Sequence, residues 1–497
     1  MTVLHKWHCL NFNTCAMACP RNLPALHVPC AGQAGARNKT LPGPVSVSLC
    51  DLRQGCVLFS WCLFLSPISF GQAKEMGNKL IRFLSLVILS VPLFGIAQTS
   101  SPWPLEKSDF VEQMMHTQPE KFSAILSHST EYRVQIIYTR VDRDSLNHPH
   151  LRSYSYRLNP KEYFYPASLV KLPVAALAIE KMNLLHKPGL DIYCRMKTDS
   201  AWSCQVAAEK DTTAISGYPS IAHYIKRMLL ISDNEAYNRV YEFVGYDHAN
   251  NRLSEMGYTA RIIHRFDFHC DTTANRCTNP ITFYNTEGQE IYQQPLAFGK
   301  NILHNPLGTV KQGRGYVGLG GKLVRKPKDY SNSNYLNLGD VNDMVVSIMM
   351  HEAVPEKKRF LLSEENYRFM QKYMGMFPRE SDSPVYSFKK YEDSYKKYCI
   401  YGTCHDTIKS DSIRVFNIVG MSYGYLSDCA YIVDIEHGVE FFLSAVIYTN
   451  KDGIINDGKY EYNTVGFPFF TDLGKLFYDY ERSRTRKVVP DLSRFKF

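Results

Sequence analysis

The sequence predicts a mixed α/β fold of the α+β kind: an antiparallel sheet with terminal helices, plus an all-helical lobe. Three observations carry this. Strand-like runs lie early in the orderly part of the chain, at Arg133–Val141 and Leu151–Leu158. Others lie near its end, at Val415–Gly420, Cys429–Ile435 and Glu440–Tyr448. Helical spacing fills the region between them. Two strand groups that bracket a helical insert join most simply in one sheet, with the terminal helices on one face and the insert as a second lobe. A cleft between the lobes is the default place for a site.

The chain has 497 residues, which suggests two or three domains. Hydrophobic residues are 45% and charged residues 21%, which excludes a collagen-like or wholly disordered chain. The net charge of +9, from 57 basic and 48 acidic residues, is mild at this length and makes no case for nucleic acid. Fourteen cysteines make the redox compartment the first question.

Seven of those cysteines precede Met76, in a stretch without sustained helical or strand period. From Met76 the order changes. Lys79 and Arg82 form a basic region, Phe83–Ile96 is apolar, and Gly95, Ile96 and Ala97 offer a cleavage site before Gln98. This is the layout of a secretory signal over residues 76–97. The alternative is an uncleaved anchor, for which the run is short. A signal does not work well behind 75 unrelated residues, so residues 1–75 read as an upstream over-extension, and the folded part as residues 98–497. A sheet lobe at about 98–167 and 410–497 and a helical lobe at about 168–409 follow. The expected location is periplasmic or secreted, with no membrane-spanning domain after cleavage.

Export makes sense of the later cysteines. Cys194 and Cys204, Cys270 and Cys277, and Cys399 and Cys404 are near neighbours, and each pair closing a short loop would contribute roughly 2–3 kcal/mol. Cys429 is left as a buried thiol. Sequence does not fix the connectivity.

Each element has its own signal. Residues 108–127 read as an N-terminal helix. Arg133–Val141 is β-branched and aromatic, and Leu151–Leu158 alternates as its partner. Leu169–Leu185, rich in Ala and Leu, reads as a buried helix. Ile221, Ile225, Met228 and Leu229 keep helical spacing, as do Ala236, Val240 and Phe243. Residues 265–335 are polar and turn-rich, without clear elements. Val341–Met350 and Ser363–Met374 return to helix. Of the late strands, the last two join through a hairpin at Glu436–Gly438. Leu473, Leu476, Phe477 and Tyr480 mark the final helix.

Several motifs fail in context. Gly313–Gly318 matches G-x-G-x-x-G but follows no clear strand and opens no helix. His351–Glu352 starts like a zinc-protease helix, but Pro355 stands where the second His is required. Gly420-Met421-Ser422-Tyr423-Gly424 matches G-x-S-x-G, yet another strand follows where a nucleophile elbow needs a helix. An unrelated esterase using Ser422 remains a third hypothesis. The S-x-x-K matches at Ser387–Lys390, Ser394–Lys397 and Ser493–Lys496 read as solvated surface.

Ser168-Leu169-Val170-Lys171 is different, because it opens a long apolar helix. A Ser there is ordinarily a cap, but a cap does not explain Lys171. Positions i and i+3 share a helical face, so the amine points at the hydroxyl. Apolar Leu172, Val174, Ala175 and Ala176 deprive that amine of solvent and lower its pKa. A neutral Lys can then take the Ser proton, which is an activated-nucleophile arrangement. Ser232-Asp233-Asn234 sits between two helical segments. The plain reading is a capped interhelical loop; the functional one gives Ser232 a proton relay and Asn234 an amide for a substrate carbonyl or for Lys171.

With S-x-x-K at a helix head and S-D-N on a later loop, the chain resembles the class A β-lactamases and penicillin-binding D,D-peptidases. Phe416–Gly420, Tyr423–Tyr425 and Ala430–Ile432 resemble the K-T-G strand region of Bacteroidetes-type β-lactamase-like serine hydrolases. The resemblance covers roughly residues 120–485. It implies Ser168, Lys171 and Ser232 as catalytic residues and Asn234, Gly420 and Ser422 as substrate-binding. It also implies an oxyanion hole from the Ser168 N–H and one near Met421 or Ser422. It implies no metal or cofactor, a β-lactam or peptidoglycan stem-peptide substrate, and a monomer. Two departures stand out. Ile418 occupies the basic position of the third motif, and Arg414 lies four residues away, too far to replace it simply. The E-x-x-L-N pattern with the deacylating Glu is absent. Together they favour peptidase, esterase or penicillin-binding behaviour, or a periplasmic binding module with degraded catalysis.

Overall fold

Strands from the two ends of the chain meet in one six-stranded sheet. A computed structural model describes residues 101–409 and 412–496. The expected export signal and upstream extension lie outside those residues. The main strands are β1 (Leu105–Glu106), β2 (Gln135–Arg143), β3 (Pro149–Tyr156), β4 (Ile413–Ser422), β5 (Tyr425–Asp434) and β6 (Val439–Tyr448). Their order is β1-β3-β2-β6-β5-β4, antiparallel except for the short β1–β3 pair. The β6–β2 pairing, Phe441 opposite Arg140 through Val446 opposite Gln135, joins the early and late strands.

Alternation along these strands assigns the two faces. Val415, Val419, Ala430, Ile432, Phe441 and Leu443 pack with the terminal helices α1 (Phe110–His116), α2 (Pro119–Ser127) and α9 (Phe467–Ser483). Phe416, Ile418, Cys429, Tyr431 and Phe442 pack into the larger core under the helical region. That region contains α3 (Lys171–Leu184), α4 (Ile221–Ile231), α5 (Asn234–Val244), α6 (Tyr246–Glu255), α7 (Leu338–Met349) and α8 (Glu364–Gly375).

Several expectations shift. The helix over 108–127 is two helices, because Pro119 lacks an N–H and starts a new one at its first turn. The helix from Leu169 begins as a 3-10 turn, Ala167–Val170, and becomes α-helical only at Lys171. Residues 265–335 hold a five-residue helix and short strand pairs.

The cysteine pairs also differ. Cys204 bonds Cys270 across 66 residues, with Cα atoms 6.5 Å apart, and Cys194, Cys277, Cys399, Cys404 and Cys429 are free thiols. Both bonded cysteines sit on loops outside the packed helices, so the bridge ties two long connections rather than one short loop. A closure of that length contributes about 4 kcal/mol on the chain-entropy account. Cys429 is fully buried, as expected.

Gly313–Gly318 is an edge of small strand pairs. A Cβ at Gly313 would lie 2.8 Å from the Gly453 carbonyl, so the glycine serves close backbone packing.

The contact that positions the site is between β4 and the 3-10 turn. A Cβ on Gly420 would lie 2.5 Å from the Pro166 carbonyl and 2.6 Å from Ser427 Oγ. Only glycine lets the strand come this near Ser168. Gly420→Ala is expected to lower stability by about 1–3 kcal/mol through overpacking, read as a lower urea midpoint; an unchanged midpoint would contradict this packing.

Candidate active site

Ser168 stands half-exposed in the 3-10 turn while Lys171, which opens α3, is fully buried. In a 3-10 turn residues i and i+3 eclipse, which brings Lys171 Nζ to 2.9 Å from Ser168 Oγ. The amine also reaches Ser232 Oγ at 3.1 Å, Asn234 Oδ1 at 2.7 Å and the Ser232 carbonyl. Its position over the Phe266 ring, 5.2 Å from the centroid, closes the remaining side.

The S-D-N segment is shaped by helix ends. Ser232 caps α4 in the left-handed region, φ +58°, with its N–H donating to the Met228 carbonyl at 3.1 Å. Asp233 caps α5 by accepting from the Ala236 N–H at 2.9 Å and is held by Arg227 at 2.8 Å. The plain reading, an interhelical cap, is therefore true of Asp233. It leaves Ser232 and Asn234 facing Lys171.

Burial pushes the Lys171 pKa well below that of an ordinary lysine. The charge of Lys396 adds to this, while Asp233 and Asp267 oppose it. A neutral amine in this position is within hydrogen-bond reach of both the Ser168 and Ser232 hydroxyls, the geometry a general base needs. Sequence reasoning missed Asp267. Its carboxylate accepts from Asn234 Nδ2 at 2.8 Å, completing a chain from Lys171 through Asn234 to an exposed acid. Asp267 lies in the turn-rich segment without periodicity, which offered no signal for it.

Asn234 and Asp267 line a cavity of about 310 Å³ together with Phe266, Phe268 and Asn238. A larger cavity, about 420 Å³, lies elsewhere, between β2 and residues 480–490. It is lined by Arg140, Arg143 and Arg484 with their acidic partners and holds no Ser–Lys pair.

Residues 120–293 match the family model described as the Beta-lactamase enzyme family. That span contains Ser168, Lys171, Ser232, Asn234 and Asp267. Over that span the chain is similar to this family. No curated protein matches it. Similar solved structures include a β-lactamase from Sphaerobacter thermophilus, 11% identical, covering 73% of this chain and 96% of that one at a TM-score of 0.40. Another, from Xanthomonas campestris, is 12% identical, covering 74% and 98% at 0.41. PBP-A in an acyl-enzyme complex with penicillin G is 10% identical, covering 76% and 98% at 0.40.

The strand that the resemblance singled out for a third motif lies beyond the matched span, on β4. The strand is an edge strand, which leaves alternate backbone groups without a strand partner. Its Ile418 side chain is fully buried in the larger core. Arg414 is spent on Glu380 at 2.9 Å. Gly420 packs closely against the Ser168 turn, where a Cβ would meet the Pro166 carbonyl. Ser422 ends β4 and, after a two-residue turn with φ +56° at Tyr423 and +86° at Gly424, the chain returns as β5. The G-x-S-x-G match is thus a β-hairpin, not a strand-to-helix elbow.

One surface assignment is wrong. Ser387, Lys390, Ser493 and Lys496 are exposed, but Lys396 and Lys397 are only 4% and 3% exposed. Lys397 donates to the Val415 carbonyl at 2.7 Å and Asn417 Oδ1 at 3.0 Å. Their loop tucks between α4 and β4, where backbone carbonyls satisfy both amines.

Because the Lys171 pKa is lowered, its neutral form is present at pH values where an ordinary lysine stays charged. Ser168 acylation should rise with pH and level off well below pH 10.5. A plateau reached only near pH 10.5 would contradict a desolvated base.

Proposed function

We propose that the protein is an exported serine hydrolase acting through an acyl-enzyme on β-lactam or peptidoglycan-like amide substrates. The observation that carries this reading is the 2.9 Å approach of Lys171 Nζ to Ser168 Oγ, with Ser232 Oγ 3.1 Å beyond. Ser168 Oγ attacks the carbonyl carbon and its proton goes to Lys171. Collapse breaks the C–N bond, and the leaving nitrogen takes a proton through Ser232. The N–H groups of Ser168 and of β4 near Met421 are the candidate oxyanion donors. For hydrolysis, we assign to Asp267, whose carboxylate accepts from Asn234 Nδ2 at 2.8 Å, the uptake of a proton from the water that then releases the acyl group from Ser168.

The competing reading is a binding module of the same fold with catalysis lost, and Ile418 motivates it. The intact contacts of Lys171 favour retained acylation.

Incubation with a fluorescent penicillin, followed by intact-mass analysis, tests this. Wild type should acquire one covalent adduct, Ser168→Ala none, and Ser422→Ala should still acquire it. An unlabelled wild type, or labelling that survives Ser168→Ala but not Ser422→Ala, would overturn it. Asp267→Asn should still acylate but lose the adduct at least tenfold more slowly; unchanged turnover would remove Asp267 from the deacylation step.

A further inference from the structure

The Ser232 hydroxyl depends on the end of α4, and that end is held from outside the S-D-N segment. Lys396 donates to the carbonyls of Met228, at 3.2 Å, and Leu229. Tyr395 OH donates to the Ile231 carbonyl at 3.3 Å. These carbonyls belong to the last turn of α4, where the helical ladder runs out. The Met228 carbonyl is shared: it accepts both Lys396 Nζ and the Ser232 N–H, using its two lone pairs. Lys396 is thus one carbonyl away from the backbone of Ser232.

Lys396 is itself fixed by β4. Its carbonyl accepts from Asn417 Nδ2, which also donates to Asp428 at 2.8 Å, and its backbone is left-handed at φ +65°. Asn417 is three residues from Gly420, where β4 touches the Ser168 turn. One strand therefore braces the nucleophile directly and the relay serine through Lys396.

We infer that Lys396 is a positioning residue, which sets the left-handed Ser232 turn through the shared Met228 carbonyl and so aligns the Ser232 hydroxyl with Lys171. It deepens the proposed serine-hydrolase reading and rests on it for its catalytic consequence. The groups around it fit the role. Burial holds the Lys396 pKa down to about 7, opposed by Asp428, and its charge acts on Lys171 and Lys397.

Two readouts test this. Native-state hydrogen exchange on Lys396→Met should show the Ser232 amide exchanging at least tenfold faster, with the Ile225 amide in mid-α4 unchanged. Equal change at both positions, or none at Ser232, overturns the inference whether or not any substrate is found. The second readout is a double-mutant cycle with a fluorescent penicillin. Lys396→Met should reduce the acylation rate constant at least tenfold with the non-covalent Kd within twofold, and should cost under twofold in the Ser232→Ala background. Additive losses, or a loss confined to Kd, overturn it. An unlabelled wild type would instead sink the functional reading, leaving the exchange result to decide on Lys396. If Met at this position prevents folding, Lys396→Gln, which keeps N–H donors, is read in both assays. A two- to fivefold loss dependent on Ser232 is expected, and no loss overturns the inference.

Discussion

The molecule is organised around one buried amine. Lys171 has no solvent, and four oxygen atoms from Ser168, Ser232 and Asn234 surround its Nζ. Keeping a full charge there costs several kcal/mol even in a polar site, and that cost pushes the pKa of the group well below that of an ordinary lysine. The same burial that makes the lysine an unwilling cation is what the proposed role as a base requires. Every neighbouring feature serves that placement: the 3-10 turn that eclipses Ser168 and Lys171, the left-handed cap at Ser232, and the glycine that lets β4 press on the nucleophile turn.

Much of this was legible in the sequence because it is local. The two strand groups that bracket the helical region predicted one shared sheet, and the structure joins them through β6 and β2. The i, i+3 spacing of Ser168 and Lys171 specified their contact whether the turn was α or 3-10. The apolar run after Lys171 announced its desolvation. Ser232 and Asn234 were readable from a short motif between two periodic segments.

What stayed hidden depends on long-range placement. Asp267 meets Asn234 across 33 residues of chain, from a segment with no period. The Cys204–Cys270 bridge spans two connections whose approach only the fold decides. Lys396 and Lys397 sit in a basic, tyrosine-rich run that resembles solvated surface by composition. They are buried because helix and strand ends offer carbonyls there. Pro119 could have been read as a helix break from its missing N–H alone, whereas the periodicity on either side of it suggested continuity.

The most direct measurement of the central claim is the pKa of Lys171 itself. Lysine labelled with ¹³C at Cε, titrated by NMR and assigned by comparison with Lys171→Met, reports it without any substrate. The account predicts an amine that loses its proton well below 10.5 in the folded protein. A Lys171 resonance that titrates like that of an exposed lysine would contradict it.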